Sequence, residues 1–479
     1  MNIDKDKQLE FREYVLSAVK EGLSLIIEKK PKPHGHFKWP TMHFSSDGFP
    51  SISTGFFYDG PPDYDNVFLG DKPALPTTEI PSFQNLIEFI RENYIFLECL
   101  FPLDSLYDEN KGKKKDSLYN ILIYKIPIAI INRYIHIYGT MEFNEEKFDQ
   151  IYDLLAHSFF DEILPVDIHI PILFTKFDFD VIELSDSASI ERMTDPFHLA
   201  RYSIKNFGSG VHETVLSKAT HCLVLKNFSL QNRNYFSLLS VFSNPQNYPL
   251  KLINDFFAAI RLITGVDTGY CQLILQPIGW AIDFFGDLPS LVGTSIKEYP
   301  SWFDNYHWLK EEFPSITIEA AKEIGCLFVK LQDIEEKSVQ IAIDRLNLCF
   351  LRVHDEDSIL DATIGLESLL SDDNHQETTH KLAMRIGALA KAEKYPNRTP
   401  YQVFKDIKYI YGYRSSVVHG SSKPEKKKEI KLDQNLEIPT SKLALDYLQF
   451  SIKALVNNPN FRNPEYIDEI LLLSNGESK

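Results

Sequence analysis

The chain has few cysteines, and the five it has (Cys99, Cys222, Cys271, Cys326 and Cys349) are scattered without a CxxC pair. An odd, dispersed set excludes a disulfide framework and a zinc ribbon and points to a reducing compartment. No GxSxG and no Walker A motif occurs, and the GxG within "NFGSGVH" (206–212) lacks a strand–GxGxxG–helix unit around it. No fixed-period repeat or low-complexity tract is present. Long apolar runs are also missing. The most apolar stretch, "YNILIYKIPIAIINRYIHIYG" (119–139), is interrupted by Lys125 and Arg133 and contains Pro127. Its isoleucines recur at alternate positions, so it reads as one or two β-strands and not as a membrane span. The opening "MNIDKDKQLEFREYV" is charged from the start, so no signal peptide and no membrane partner are expected, and the protein is read as cytoplasmic.

What is present suffices for folded cores. At 479 residues, 44% hydrophobic and 13% aromatic, the chain is large enough for two or three domains. Residues 1–30 carry a helical apolar pattern through Leu9, Phe11, Val15, Leu16, Val19 and Ile26. A Gly-, Pro- and Ser-rich stretch follows, read as turns and short strands, and a helix is expected over 84–100. Strand-like runs dominate 118–230, among them "VDIHIPILF" and "CLVLKNFSL", with one helix in "EEKFDQIYDLLAHSFF". From "LKLINDFFAAIRLITG" onward the pattern turns helical. The expected class is α+β: a mixed α/β region over 1–250, a helical bridge over 251–315 and an all-α bundle over 316–479.

Basic residues are in deficit, with a net charge of −17, yet they are concentrated. Residues 376–431 hold 13 Lys and Arg against 5 Asp and Glu, a local net of +8. Such a segment is either a phosphate-binding surface or a solvated helix face with a lysine-rich loop.

The last helices have readable ends and faces. "ATIGLESLLS" places Ile364, Leu366, Leu369 and Leu370 on one side, and "HKLAMRIGALAKA" does the same with Leu382, Ile386 and Leu389. In "TPYQVF", Thr399 suits an N-cap and Pro400 the first turn, with a stop expected at Gly420. "TSKLALDYLQFSIKALVNNP" closes the set with Leu445, Leu448, Ile452 and Leu455. Arg414 and His419 of "YGYRSSVVHG" fall in the last turns of the third of these helices. Five residues separate them by about 140° around an ideal helix, whereas Ser415 and His419 share a face. On residue chemistry alone, Arg414 bridges to Glu367 and His419 caps the helix end, or the two serve phosphate chemistry.

Arg414-x4-His419, preceded in order by "IGLESLLS" and "HKLAMRIGAL", resembles the ApeA-like branch of the HEPN superfamily over roughly 316–479. The resemblance implies a metal-independent endoribonuclease in antiphage defence or a toxin-like system, with no cofactor. It implies Arg414 and His419 as catalytic residues, paired across a homodimer through the bundle. Histidine titrates near neutrality and arginine forks onto phosphate oxygens, so both suit cleavage by the RNA's own 2′-hydroxyl. Ser415 is assigned to orienting phosphate or imidazole, and Glu367 and Arg385 to supporting positions. Lys423, Lys426, Lys427, Lys428 and Lys431 follow the motif and are expected to hold RNA phosphates. Ser421 stands where some family members carry a modifiable tyrosine. Residues 1–250 are read as a sensor or regulator with a possible phage or regulatory ligand. The HxH pair His34/His36, with His43 and Asp47 near, invites a zinc reading, but no second ligand cluster follows and no metal is expected. The alternative is a non-catalytic RNA-binding or dimerisation protein.

Overall fold

The computed structural model describes residues 3–33, 35–36, 39–54, 60–100, 112–204, 210–371, 378–419, 427–433 and 436–473. It is a mixed α+β protein dividing into two compact units that are not contiguous in sequence. The first holds Met1–Pro171, Ser187–Tyr248 and Cys271–Lys297; the second holds Ile172–Asp186, Pro249–Tyr270 and Glu298–Lys479. Residues 251–315 are thus shared between the two.

In the first unit, helix Lys5–Lys29 starts at Asp4, whose side chain accepts from the Asp6 amide. Its buried face runs Phe11, Val15, Ala18, Val19, Leu23 and Ile26, the three- and four-residue spacing of one helical side. It packs on helices Pro81–Glu92 and Gly112–Tyr138. Gly22 allows the close approach: a Cβ there would lie 2.6 Å from Ile131 Cδ1. A separate helix Tyr94–Leu100 follows the 81–92 helix, and Glu145–Phe160 is helical with Asn144 as its N-cap.

The 119–139 stretch is not the expected strand pair but lies in helix Gly112–Tyr138, with Pro127 inside it. Pro127 removes one backbone hydrogen bond, at about 3 kcal/mol. Against this, Ile123, Ile128, Ile130, Ile131 and Tyr134 are nearly inaccessible to solvent. Burying such side chains contributes about 1.5–3 kcal/mol each, so tertiary packing overrides both the proline and β-branched propensity. The alternation of isoleucines reflected a helix buried on more than one side.

Five strands of this unit lie side by side in the order Val292–Glu298, Tyr270–Pro277, Ile163–Pro171, His221–Gln231, Ala188–Arg192. The 163–171 strand is antiparallel to both neighbours, and Ile168 is opposite Leu225 on one side and Leu275 on the other. A hairpin of Pro40–Phe44 and Pro50–Thr54 occupies the turn-rich stretch.

The second unit contains helices Leu250–Thr264, Ile318–Gln332, Lys337–Leu351, Asp355–Leu370, Thr378–Ala392, Pro400–Val418, Thr440–Asn457 and Pro464–Leu473. Neighbours pair as 337–351 with 355–370, 355–370 with 440–457, and 378–392 with 400–418. Most of the expected faces are buried: Leu366, Leu369, Leu370, Leu382, Ile386, Leu389, Leu445, Leu448, Ile452 and Leu455 are in the core, while Ile364 is only partly shielded. The basic segment after the motif includes a hairpin of Glu429–Asp433 and Leu436–Pro439, where a loop was expected. Tyr409 on the 400–418 helix donates to the Glu429 carbonyl at 3.0 Å, and Ile430 is buried. No helix among the described residues is long and apolar enough to cross a membrane.

Candidate functional site

The motif helix begins with a complete capping box. The Gln402 amide donates to Thr399 Oγ1 at 3.3 Å, and the Thr399 amide donates to Gln402 Oε1 at 2.8 Å. Pro400 stands in the first turn, where its missing N–H costs nothing. The helix ends at Val418, with His419 as C-cap at φ −96° and ψ 6°, its amide bonded to the Ser415 carbonyl. The expected stop at Gly420 lies outside the described residues, as does Ser421.

Two faces of the helix end differ in character. Arg414, Tyr411 and Glu367 form the inner one. Arg414 Nη2 stands 4.0 Å from Glu367 Oε1, with side chains 35% and 28% exposed. Among the described residues Arg414 Nε is shielded from solvent without a hydrogen-bond partner, and the Tyr411 hydroxyl is shielded beside the Glu367 carboxylate. Burial, with Glu367's negative charge beside it, pushes the Tyr411 phenol well above 10, so it is neutral at any physiological pH.

The outer face carries Gly412, Ser415, Ser416 and His419, spaced three, four and seven residues from the glycine. Ser415 and His419 are exposed, while Ser416 Oγ donates back to the Gly412 carbonyl at 2.9 Å. Lys427 lies over this face: a Cβ on residue 412 would be 2.7 Å from Lys427 Nζ. The absent side chain at 412 makes room for that ammonium. The helix therefore presents an exposed hydroxyl, an exposed imidazole and an ammonium on one side, and a half-buried guanidinium on another.

The other sequence candidates sit as follows. Arg385, 2% exposed, donates from Nε and Nη2 to the two oxygens of Asp468 at 2.9 and 2.7 Å, and from Nη1 to the Leu370 carbonyl. That bidentate pair ties the 378–392 helix to the 464–473 helix and gives Arg385 a packing role. Lys428 faces Asp355 at 3.7 Å and Glu356 at 4.0 Å, so part of its charge is already countered. Lys431 is exposed on the hairpin, and Lys423 and Lys426 lie outside the described residues.

In the first unit, Asp47 accepts from Lys218 at 2.6 Å in a buried pair and from the Phe49 amide at 3.0 Å. It holds a loop; His34 lies outside the described residues, and nothing is described of the His36 side chain. No group of three or more His, Cys, Asp or Glu placed to hold a metal exists among the described residues. His169 and Cys222 come within 3.5 Å of each other, but burial pushes the imidazole down to about 4 and the thiol far up, leaving an inert neutral pair.

No family model matches the chain, and no curated protein or solved structure matches it. The site therefore rests on its own geometry and on the resemblance of its motif.

The sequence did not reveal a cavity in the first unit lined by Asp65, Lys125, Asn132, Arg133 and Asp283 among others. These residues come from three distant segments, which no local pattern joins. One signal existed. Leu122, Lys125, Ile126, Ala129, Asn132 and Arg133 recur at helical spacing, but a strand reading scattered them over both faces.

Proposed function

We propose that the second unit is a metal-independent endoribonuclease of the HEPN type, ApeA-like, acting in antiphage defence or a toxin-like system. On this reading its helices serve as the bundle of that superfamily. The observation that carries this reading is the exposed Ser415/His419 face with Lys427 over it, next to an Arg414 whose Nε has no hydrogen-bond partner among the described residues. A folded core does not need a bare imidazole, hydroxyl and ammonium together on a helix end.

In the proposed reaction the RNA 2′-oxygen attacks phosphorus and the 5′-oxygen leaves, giving a 2′,3′-cyclic phosphate and a 5′-hydroxyl. The 2′-hydroxyl proton goes to a neutral imidazole, and the 5′-oxygen takes a proton from an imidazolium. Arg414 stabilises the phosphorane charge, Ser415 orients a non-bridging oxygen, and Lys427 and Lys431 hold flanking phosphates. One chain supplies one motif histidine, and the motif separates Arg414 from His419 by about 140° on the helix. A homodimer in which both His419 side chains line one groove supplies both proton-transfer groups.

The test is cleavage of RNA by the full chain in EDTA. Cyclic phosphate ends are expected, with DNA uncut for want of a 2′-hydroxyl. His419→Ala is expected to abolish cutting without lowering the thermal midpoint; undiminished cutting would sink the assignment. The Arg414–Glu367 pair favours one second reading, a non-catalytic RNA-binding or dimerisation bundle. That reading stands if wild type binds RNA but leaves it intact.

A further inference from the structure

The outer face of the motif helix does not end at Ser415 and His419. Counting back from His419 by alternate steps of four and three residues gives Ser415, Gly412, Lys408, Lys405 and Tyr401. Such steps keep to one side of an α-helix, so these positions form one stripe about 27 Å long. All are exposed except Gly412, which is half-buried with Lys427 Nζ over it.

No carboxylate stands on this stripe. The helix has one acidic residue, Asp406, which is buried against Arg398 and Tyr447. The hairpin's Glu437 acts on Tyr409, which is off the stripe. Lys405 and Lys408 instead fold back over rings one turn earlier. Lys405 Nζ is 4.4 Å from the centre of the Tyr401 ring, and Lys408 Nζ is 5.4 Å from that of Phe404. Among the described residues neither these two nor Lys427 forms an ion pair, whereas Lys428 faces Asp355 and Glu356. In a chain of net charge −17, three uncountered ammonium groups along one helix side fit a polyanion.

Tyr401 adds something that a plain polyanion does not need. It is 64% exposed. Its ring lies within 10° of parallel to Phe404 at 6.3 Å, and His380 of the 378–392 helix meets Phe404 edge-on at 5.5 Å. These neighbours orient the tyrosine ring while leaving much of it open. Cations along a groove with an exposed aromatic ring are the two devices that hold nucleic-acid single strands. A duplex keeps its bases stacked on one another and offers the ring nothing. An acidic peptide matches the lysines but not the ring.

We infer that this stripe is the track by which single-stranded RNA reaches the Ser415/His419 face. An unpaired base stacks on Tyr401, and successive phosphates lie along Lys405, Lys408 and Lys427. The inference rests on the RNA reading of the second unit and adds to it a requirement for unpaired strands that span the helix.

Anisotropy titration of the full chain with a labelled 2′-O-methyl oligoadenylate decamer tests it. That strand stacks and carries phosphates but has no free 2′-hydroxyl to react. Saturable binding is expected, tighter than that of the same strand paired to its complement and tighter than that of decaglutamate. Tyr401→Ala should weaken it at least about fivefold, and Tyr401→Trp should retain it. Lys405→Gln combined with Lys408→Gln should lower the slope of log affinity against log salt by about 1.4, the share of two single-strand phosphate contacts. Thermal midpoints should stay at the wild-type value, because these side chains are exposed; if Tyr401→Ala folds poorly, the lysine pair and decaglutamate decide. Absence of saturable binding, binding unchanged by Tyr401→Ala, an unchanged salt slope, or duplex or decaglutamate bound as tightly as the single strand would each overturn the inference. Cleavage of unmodified RNA by wild type judges the ribonuclease reading separately. Cutting together with Tyr401-independent binding keeps that reading and sinks the track, while Tyr401-dependent binding without cutting keeps the track and sinks the nuclease.

Discussion

Arg414 and Asp406 lie two turns apart on one helix, and their environments set opposite expectations. The Arg414–Glu367 pair spans 4.0 Å between partly exposed side chains, a geometry worth under about 1 kcal/mol. Arg414→Ala should therefore leave the urea midpoint almost unchanged while removing RNA cleavage; a large stability loss would mark the arginine as structural. Asp406 is buried and accepts from Arg398 on both oxygens and from the Tyr447 hydroxyl at 2.7 Å. Removing it leaves the half-buried Arg398 guanidinium with only the Leu432 carbonyl and the Tyr447 hydroxyl without its acceptor, so Asp406→Ala should cost about 3 kcal/mol in denaturant unfolding. His169 gives a pH signature. Its folded form titrates at about 4, below the ordinary 6.5, because burial disfavours the imidazolium. The unfolded chain thus takes up the proton first as pH falls. Stability from this residue is complete above pH 6.5 and is lost progressively down to about pH 4, by about 3 kcal/mol in all. His169→Asn should flatten that part of the stability profile relative to wild type, whatever the carboxylates contribute to both.

At the scale of elements, the sequence was legible where local chemistry and tertiary packing agree. The Thr399–Pro400 start of the motif helix and the existence of the 145–160 helix follow from capping chemistry and periodicity alone. The 112–138 helix was not legible, because Pro127 and the isoleucines argue locally for strands and only burial among neighbouring helices decides otherwise. The 429–439 hairpin was hidden by lysines, whose charge reads as a loop, while Ile430 alone anchors one strand in the core. Of the candidate site, residue types and order were readable. That Lys427 returns over Gly412 was not, since fourteen residues intervene. This return makes a prediction. Gly412→Ala adds a methyl where Lys427 Nζ lies and removes a poor helix former. Helix stability should hold or rise by up to about 1 kcal/mol. RNA affinity and its salt dependence should both fall if Lys427 holds phosphate. Unchanged RNA binding in a filter-binding salt series would make Lys427 a bystander.

For the whole molecule, the division into interleaved units limits what a fragment can do. Residues 316–479 contain the motif but leave out 172–186, 249–270 and 298–315 of the same unit. Phe328 then loses its edge-on contact with Phe256, and Asn347 loses its bond from Arg261 at 2.6 Å. The isolated 316–479 segment should unfold at lower denaturant than the full chain and bind a hydrophobic dye; a cooperative transition at the full-chain midpoint would contradict this. The same interleaving imposes an order in time. The 163–171 strand is flanked by 221–231 and 270–277, so the centre of its sheet cannot close until over a hundred further residues have been made. Lys176 waits longer, for its parallel partner Ser315. At about 5–20 residues per second, that interval is on the order of ten seconds on a translating ribosome. Throughout it, a row of apolar strand residues stands open at an edge. The motif helix is made after every segment of the first unit, and before the 429–439 hairpin and the 440–457 and 464–473 helices. A chain cut short between residues 298 and 418 therefore carries every segment of the first unit and no histidine at 419, so under the proposed function it cannot cleave RNA.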